Sequence, residues 1–350
     1  MSTEPFTING VAVKPGTRAT IDLPAGRLYT HAPMTVPVHV VAGKRTGPRL
    51  FLSAAIHGDE INGVEIIRRV LRLPALKQLK GIVLAVPVVN VHGLISHSRY
   101  LPDRRDLNRS FPGTEKGSLA ARLAHLFMTE IVAKSTHGID LHTGAIHRSN
   151  LPQIRANLDD DETNSMARAF QVPVIISSNL RDGSLRESAS TFGIPTLLYE
   201  AGEALRFDEV GIRAGVKGIV NVMRSLGMLP ASRAKAKKQI EPVVARSSSW
   251  VRAPSSGILR AMVPLGGRVK KGTLLGIVAD PFGELEVEIT ATFSGIVIGR
   301  TNLPLVNEGD ALYHIARFED IQGIEAKVDE FQEEHSPEPI SAPHSESPII

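Results

Sequence analysis

The chain has no cysteine, one tryptophan, four tyrosines and no apolar run long enough to cross a bilayer. Each absence excludes something. Without thiols there are no disulfides and no thiolate ligands, so a transition-metal site must be built from His, Asp and Glu, while the redox compartment is left open. A membrane-spanning helix needs about 20 apolar residues, and no charged-then-apolar leader stands at the N-terminus, so the expectation is a soluble, cytoplasmic protein with no membrane partner. So few tyrosines and tryptophans leave little for base stacking, and no nucleic-acid motif is present. Nucleic acid is therefore not an expected partner.

What is present is a chain of 350 residues with an apolar share of 42%, longer than a typical single domain. Two domains are expected. The formal charge of +4 conceals an asymmetry: residues 319–350 carry nine carboxylates against Lys327, a net −8, which leaves +12 for residues 1–318. The basic body points to a small anionic substrate or to no more than a solvated charged surface. Homo-oligomer formation is left open.

Residues 1–46 alternate at Met34, Val36, Val38 and Val40 and read as an N-terminal β extension. From Arg49 onward, strand-like runs at 50–56, 82–89, 138–142, 172–177 and 195–200 alternate with amphipathic stretches at 61–73, 118–134 and 208–227. Ser118 is the predicted N-cap of the second stretch. The fold expected for residues 47–230 is α/β, a mixed but mainly parallel sheet with helices on both faces, whose chemistry gathers at the carboxyl ends of the strands. Residues 231–249, with Arg233, Lys235, Lys237, Lys238 and Arg246, read as a linker. Residues 250–318 contain a repeat: APSSGIL at 253–259 and VKKGTLLGI at 269–277 are echoed by ATFSGIV at 291–297 and VNEGDALYHI at 306–315. This resembles the biotinyl/lipoyl barrel-sandwich, a small all-β domain, but the junction ADPFGELE at 279–286 lacks the lysine that a carrier needs. The acidic tail, residues 319–350, is expected to be disordered after at most a frayed helix.

Four segments stand at predicted strand ends: IHGDE at 56–60, DLNRSFPG at 106–113, DLHTG at 140–144 and YEAGE at 199–203. His57 and Glu60 leave a strand on a glycine-containing turn. His142 shares a strand face with Asp140, which can orient it as an outer partner. Two histidines and a glutamate leave a tetrahedral position open, the pattern of a catalytic rather than a closed structural zinc site.

Together and in this order, the four segments resemble the succinylglutamate desuccinylase/aspartoacylase family, a branch of the zinc carboxypeptidase-like fold. The resemblance implies a zinc-dependent deacylase, a metal-binding hydrolase that cleaves an N-acyl amino acid or peptide-like substrate. It implies one zinc per chain on His57, Glu60 and His142, Glu200 as general base, and Asn108 and Arg109 on a substrate carboxylate. Arg99 matches the arginine that polarises the scissile carbonyl, with Arg104 and Arg105 as alternatives. Other functions for the same centre are a metallocarboxypeptidase, an esterase, or a catalytically silent zinc-binding interaction protein.

Bland readings stand beside these. His92, His97, His125 and His137 are expected to be structural. Asp59 is expected to cap the helix after Ile61. Glu203 competes with Glu200 as base. Arg109 has a structural alternative in an ion pair with Asp106 or Asp103, and Arg155 either lines the site or forms a surface pair. His147 and Arg148 read as polar loop.

Overall fold

The structure, a computed structural model, describes residues 4–178, 180–231, 242–318 and 324–337. A strand pair, β1 (Phe6–Ile8) and β2 (Val11–Val13), precedes the hairpin β3 (Arg18–Arg27) and β4 (Pro33–Ala42). Strand and helix then alternate: β5 (Arg45–Ala54), α1 (Asn62–Leu71), β6 (Lys80–Val86), α2 (Val91–Ile95), α3 (Leu119–Glu130), β7 (His137–Gly144), β8 (Arg148–Ala156), α4 (Asp161–Phe170), β9 (Val174–Ser177), α5 (Leu185–Thr191), β10 (Thr196–Glu203) and α6 (Glu209–Ser225). An all-β region follows: β11 (Val243–Ala245), β12 (Ser247–Arg252), β13 (Gly257–Ala261), β14 (Arg268–Val269), β15 (Leu274–Ala279), β16 (Glu286–Thr290), β17 (Gly295–Thr301), β18 (Leu305–Val306) and β19 (Ala311–Arg317). The last element among the described residues is α7 (Ile324–His335).

The main sheet runs β12-β19-β17-β8-β10-β7-β5-β6-β4-β3. Its centre is parallel, β10 with β7, β7 with β5 and β5 with β6, while β8 and β4 join antiparallel. Every residue of β7 is buried, as a strand covered on both faces must be. One face packs Leu52, Ile139 and Tyr199 against Ile66, Phe170, Ile219 and Phe331, and the other packs Phe51, Leu84 and Val38 against Leu123, Phe127 and Leu185. Ser118 caps α3, its Oγ accepting from the Ala121 N–H at 3.2 Å, which satisfies one of the donors a helix start leaves unpaired.

Three expectations are corrected. Residues 1–46 are not wholly an extension: β3 and β4 belong to the main sheet, because the alternation at Val36, Val38 and Val40 turns these side chains into the apolar layer beneath α3. The linker reading fails from Val243, where β11 pairs in parallel with β9. Three apolar residues after a charged run are too short a signal to read as a strand. Arg233, Lys235, Lys237 and Lys238 lie outside the described residues. The tail does begin with a helix, but Ile324–His335 is docked rather than frayed: Val328 and Phe331, one turn apart, are each 1% exposed, and Lys217 Nζ on α6 donates to Glu334 Oε2 at 2.9 Å. Residues 319–323 and 338–350 lie outside the described residues.

The C-terminal region forms a second, four-stranded sheet, β16-β15-β13-β18, whose inner side packs with Val297, Leu312 and Ile315 of the main sheet in one core. Strand β8 is the junction. Along its edge away from β10 it pairs first with β17 and then with β9, so the β region continues the main sheet.

Candidate metal centre and catalytic cavity

Three side chains meet at the carboxyl ends of β5 and β7. Ala55, with a left-handed φ of +50°, turns the chain sharply out of β5 and into the loop that carries His57 and Glu60. Non-glycine residues hold such backbone only where the surroundings enforce it. His142 lies near the end of β7. His57 Nδ1 lies 2.7 Å from Glu60 Oε1, and His142 Nδ1 lies 2.7 Å from Glu60 Oε2. All three residues are at most 5% exposed, and their ligating atoms lie within 4.8 Å of one another.

The far nitrogen of each ring is also held. His57 Nε2 lies 3.2 Å from Asp106 Oδ1, and His142 Nε2 lies 2.6 Å from Asp140 Oδ2. The Ser53 hydroxyl donates to the other Asp140 oxygen at 2.7 Å. Burial opposes charge on both imidazoles, yet Glu60 and Asp106 raise the His57 pKa above its ordinary value, and Asp140 and Glu60 raise that of His142 well above it. Burial likewise favours neutral Glu60, but the two imidazoles hold it well below the usual carboxylate range. The arrangement draws positive charge to one point. Two Nδ1 atoms and a carboxylate converging there, with each Nε2 oriented by a carboxylate, fit a metal ion held by an N/O donor set with oriented ligands.

The centre forms part of the wall of a cavity of about 380 Å³. Six arginines line it, Arg99, Arg109, Arg148, Arg155, Arg181 and Arg186, against the carboxylates Glu60, Asp140 and Glu200. Arg99 donates to Asp106 Oδ2 at 3.1 Å and to Glu60 Oε1 at 3.3 Å. Arg104 and Arg105 are exposed and do not line the cavity. Asn108 Oδ1 accepts from the Leu185 N–H at 2.9 Å, which joins the segment to the start of α5. Arg109 donates to the Asn108 carbonyl, whereas Asp106 is taken by Arg99 and His57. Burial and the neighbouring Arg155 push the Arg186 pKa down to about 10.

Glu200 sits opposite His142 in the β10–β7 register and lines the cavity. Its Oε2 accepts from Asn150 Nδ2 at 2.6 Å, and Arg155 Nε lies 3.3 Å from Oε1 as an ion pair, not aligned as a hydrogen bond. Just past Glu200, Gly202 takes φ +72° and a Cβ there would lie 2.7 Å from Asn62 Nδ2 and Asp208 Cβ, so the bulge that ends β10 requires glycine. Glu203 faces elsewhere: its oxygens accept from the His147 N–H at 2.9 Å and Asn302 Nδ2 at 2.7 Å. Asp59 is not the expected cap. The N-cap position of α1 is Ile61, with no side-chain cap, and buried Asp59 Oδ1 has no partner among the described residues. His137 is satisfied by Thr136 Oγ1 at 2.8 Å and Glu162 Oε1 at 2.6 Å.

A model of the succinylglutamate desuccinylase/aspartoacylase catalytic domain matches residues 46–226. The chain belongs to this family. It is similar to the N-α-acetyl-L-2,4-diaminobutyric acid deacetylase of Halomonas elongata, 28% identical over 300 residues, covering 80% of this chain and 85% of that one. Its fold is like that of a succinylglutamate desuccinylase/aspartoacylase from Rhodobacter sphaeroides, with a TM-score of 0.77, 24% identity and coverage of 86% of this chain and 96% of that one. The product-bound ectoine utilization protein EutE (DoeB) from Ruegeria pomeroyi gives a TM-score of 0.76 at 23% identity, covering 86% and 94%. Such coverage extends past residue 226 into the C-terminal β region.

That region supplies cavity residues which no motif announced. Ser248, Trp250 and His314 line the cavity. The His314 ring stacks on Trp250 at 4.6 Å and 9°, the Arg148 guanidinium lies 5.3 Å from the Trp250 ring centroid, and His314 Nε2 lies 2.9 Å from Ser248 Oγ. Burial, with Arg155 and Arg181 nearby, pushes the His314 pKa down to about 3, so the ring is neutral near pH 7. The sequence signal was the repeat, which located the β region without showing that it reaches the cavity.

Proposed function

We propose that this protein is a zinc-dependent deacylase that hydrolyses the amide bond of a small N-acyl amino acid bearing a free carboxylate. The observation that carries the reading is the convergence of His57, Glu60 and His142 in the wall of an arginine-lined cavity, with Glu200 on the adjacent strand. His57, Glu60 and His142 would hold the ion, and Asp106 and Asp140 fix the two rings. When bound, zinc supplies Lewis acidity, polarising an acyl carbonyl and lowering the pKa of water toward neutrality. Glu200 accepts a proton from the attacking water as the new C–O bond forms at the acyl carbon. It delivers that proton to the amine nitrogen as the C–N bond breaks, leaving a carboxylic acid and a free amine. Arg99 faces the carbonyl oxygen, where negative charge develops. Arg109 and the Asn108 amide hold the substrate carboxylate, a role for which the planar guanidinium fork suits better than a lysine ammonium.

The cavity's arginine excess supports an anionic substrate, and the similar Halomonas protein is named for an N-acetyl amino acid. We read residues 47–230 as the catalytic domain and residues 250–318 as a barrel-sandwich module without a carrier lysine. The test is amine release from N-acetyl and N-succinyl amino acids, with peptides and esters as further arms. Turnover on the N-acyl substrates, lost with a chelator and restored by zinc, is the expected result. Turnover on peptides or esters alone would make the protein a carboxypeptidase or esterase, and zinc binding without turnover on any arm would make it a silent binding protein.

A further inference from the structure

One side chain, Asn150 of β8, stands between Glu200 and the C-terminal β region. Asn150 is 8% exposed and lies on β8 between two ladders: Gly202 of β10 is its register partner on one side and Gly299 of β17 on the other. Its Nδ2 donates to Glu200 Oε2 at 2.6 Å. A Cβ built on Gly299 would lie 2.8 Å from Asn150 Oδ1, 3.2 Å from His314 Cβ and 3.6 Å from Trp250 Cη2. The backbone of β17 therefore lies directly against the amide that grips Glu200.

We propose that Gly299 and Asn150 are positioning residues through which the C-terminal β region aims Glu200. The inference rests on Glu200 being the acid–base group. A carboxylate that must take a proton from water at one position and deliver it at another needs a fixed direction, and a misplacement of a few tenths of an ångström is felt in the chemical step. Arg155 anchors one oxygen of Glu200 by charge but is not aligned for a hydrogen bond, so the directional restraint on the other oxygen comes from Asn150. Asn150 keeps its orientation because β17 leaves room for Oδ1 on the side away from Glu200. Any side chain at 299 takes that room. The most crowded atom is the end of the Asn150 side chain, and His314 Cβ at 3.2 Å need give by only a few tenths of an ångström, so Gly299→Ala should cost the fold little while turning the Asn150 amide off Glu200.

The test is a double-mutant cycle in the full-length, zinc-loaded protein, using Asn150→Ala, Gly299→Ala and the pair, with kcat, KM, zinc content and melting temperature recorded for each. Each single variant should lose about tenfold or more in kcat, with KM and zinc content within about twofold of the parent. The pair should be no slower than Asn150→Ala alone, because once the amide is gone Gly299→Ala has nothing left to displace. Multiplied losses in the pair, or losses in kcat that track the melting temperature across the set, would overturn the proposal and make Gly299 a residue of the fold only. Should Gly299→Ala fold poorly, Asn150→Ala decides alone: unchanged kcat overturns the proposal. Glu200→Gln separates the two readings. If it keeps full turnover, the assignment of Glu200 itself falls; if it is inactive while the cycle is additive, only the positioning role falls.

Discussion

At the scale of single residues, the proposed roles divide into groups that would hold the metal or substrate and a group that would react, and substitutions should separate them. Glu200→Gln keeps size and the bond from Asn150 but removes the proton acceptor, so zinc content should be unchanged while turnover falls on the order of a hundredfold or more. If Glu203→Gln shows that loss and Glu200→Gln does not, the two exchange roles. Arg109→Lys keeps charge but loses the fork. It should lower kcat/KM for a carboxylate-bearing substrate by roughly 2 kcal/mol, with little change for the neutral amide analogue. Equal losses on both substrates with a lowered melting temperature would assign Arg109 to the loop instead. The His57, Glu60, His142 and Glu200 cluster was legible because each residue sits in a short segment at a strand end, where side chains from different strands converge. Arg181, Arg186, Trp250 and His314 were not, because each reaches the cavity from a loop, a helix or the second half of the chain, and no local pattern records such a meeting.

At the scale of elements, the alternation of strands and amphipathic stretches located β5, β6, β7, β9 and β10 with α1, α3 and α6, and Ser118 marked the start of α3, whereas β8, α4 and α5 left no such signal. Composition misread α7 as frayed. A segment with many glutamates and only a few apolar residues has the composition of a disordered tail, and its docking depends on a tertiary surface the local sequence cannot show. Phe331, 1% exposed, packs in the same core layer as Ile66, Phe170 and Tyr199. Phe331→Ala should therefore cost about 3–5 kcal/mol, as large aromatic truncations in cores do. Denaturant unfolding monitors it, and a loss below about 1 kcal/mol would mean that α7 rests on the surface without stabilising the layer beneath.

At the scale of the whole molecule, two devices join distant parts of the chain. One is the β8–β17 ladder, which carries the C-terminal β region into the catalytic sheet. The other is an ion-pair network in which Arg69 donates to Glu65 on its own helix at 2.7 Å and to Glu209 on α6 at 2.7 and 2.8 Å. Hydrogen bonds from Arg68 and Arg69 hold Glu65 at about 2, and those from Arg69 and Arg213 hold Glu209 at about 2, both from an ordinary 4.5. A depressed folded-state pKa contributes stability that is fully present above the unfolded value and lost as pH falls toward the folded one. The melting-temperature difference between the parent protein and Arg69→Gln should therefore be constant above about pH 5 and shrink between about pH 4.5 and 2. A difference independent of pH across that window would show that Arg69 acts by packing alone. If His57, Glu60 and His142 form one metal centre, as proposed, the zinc content of the purified protein depends on them. The parent should bind about one zinc per chain, and the His57→Ala, His142→Ala double variant should bind none at the same free zinc while staying folded; full occupancy in that double variant would contradict the assignment.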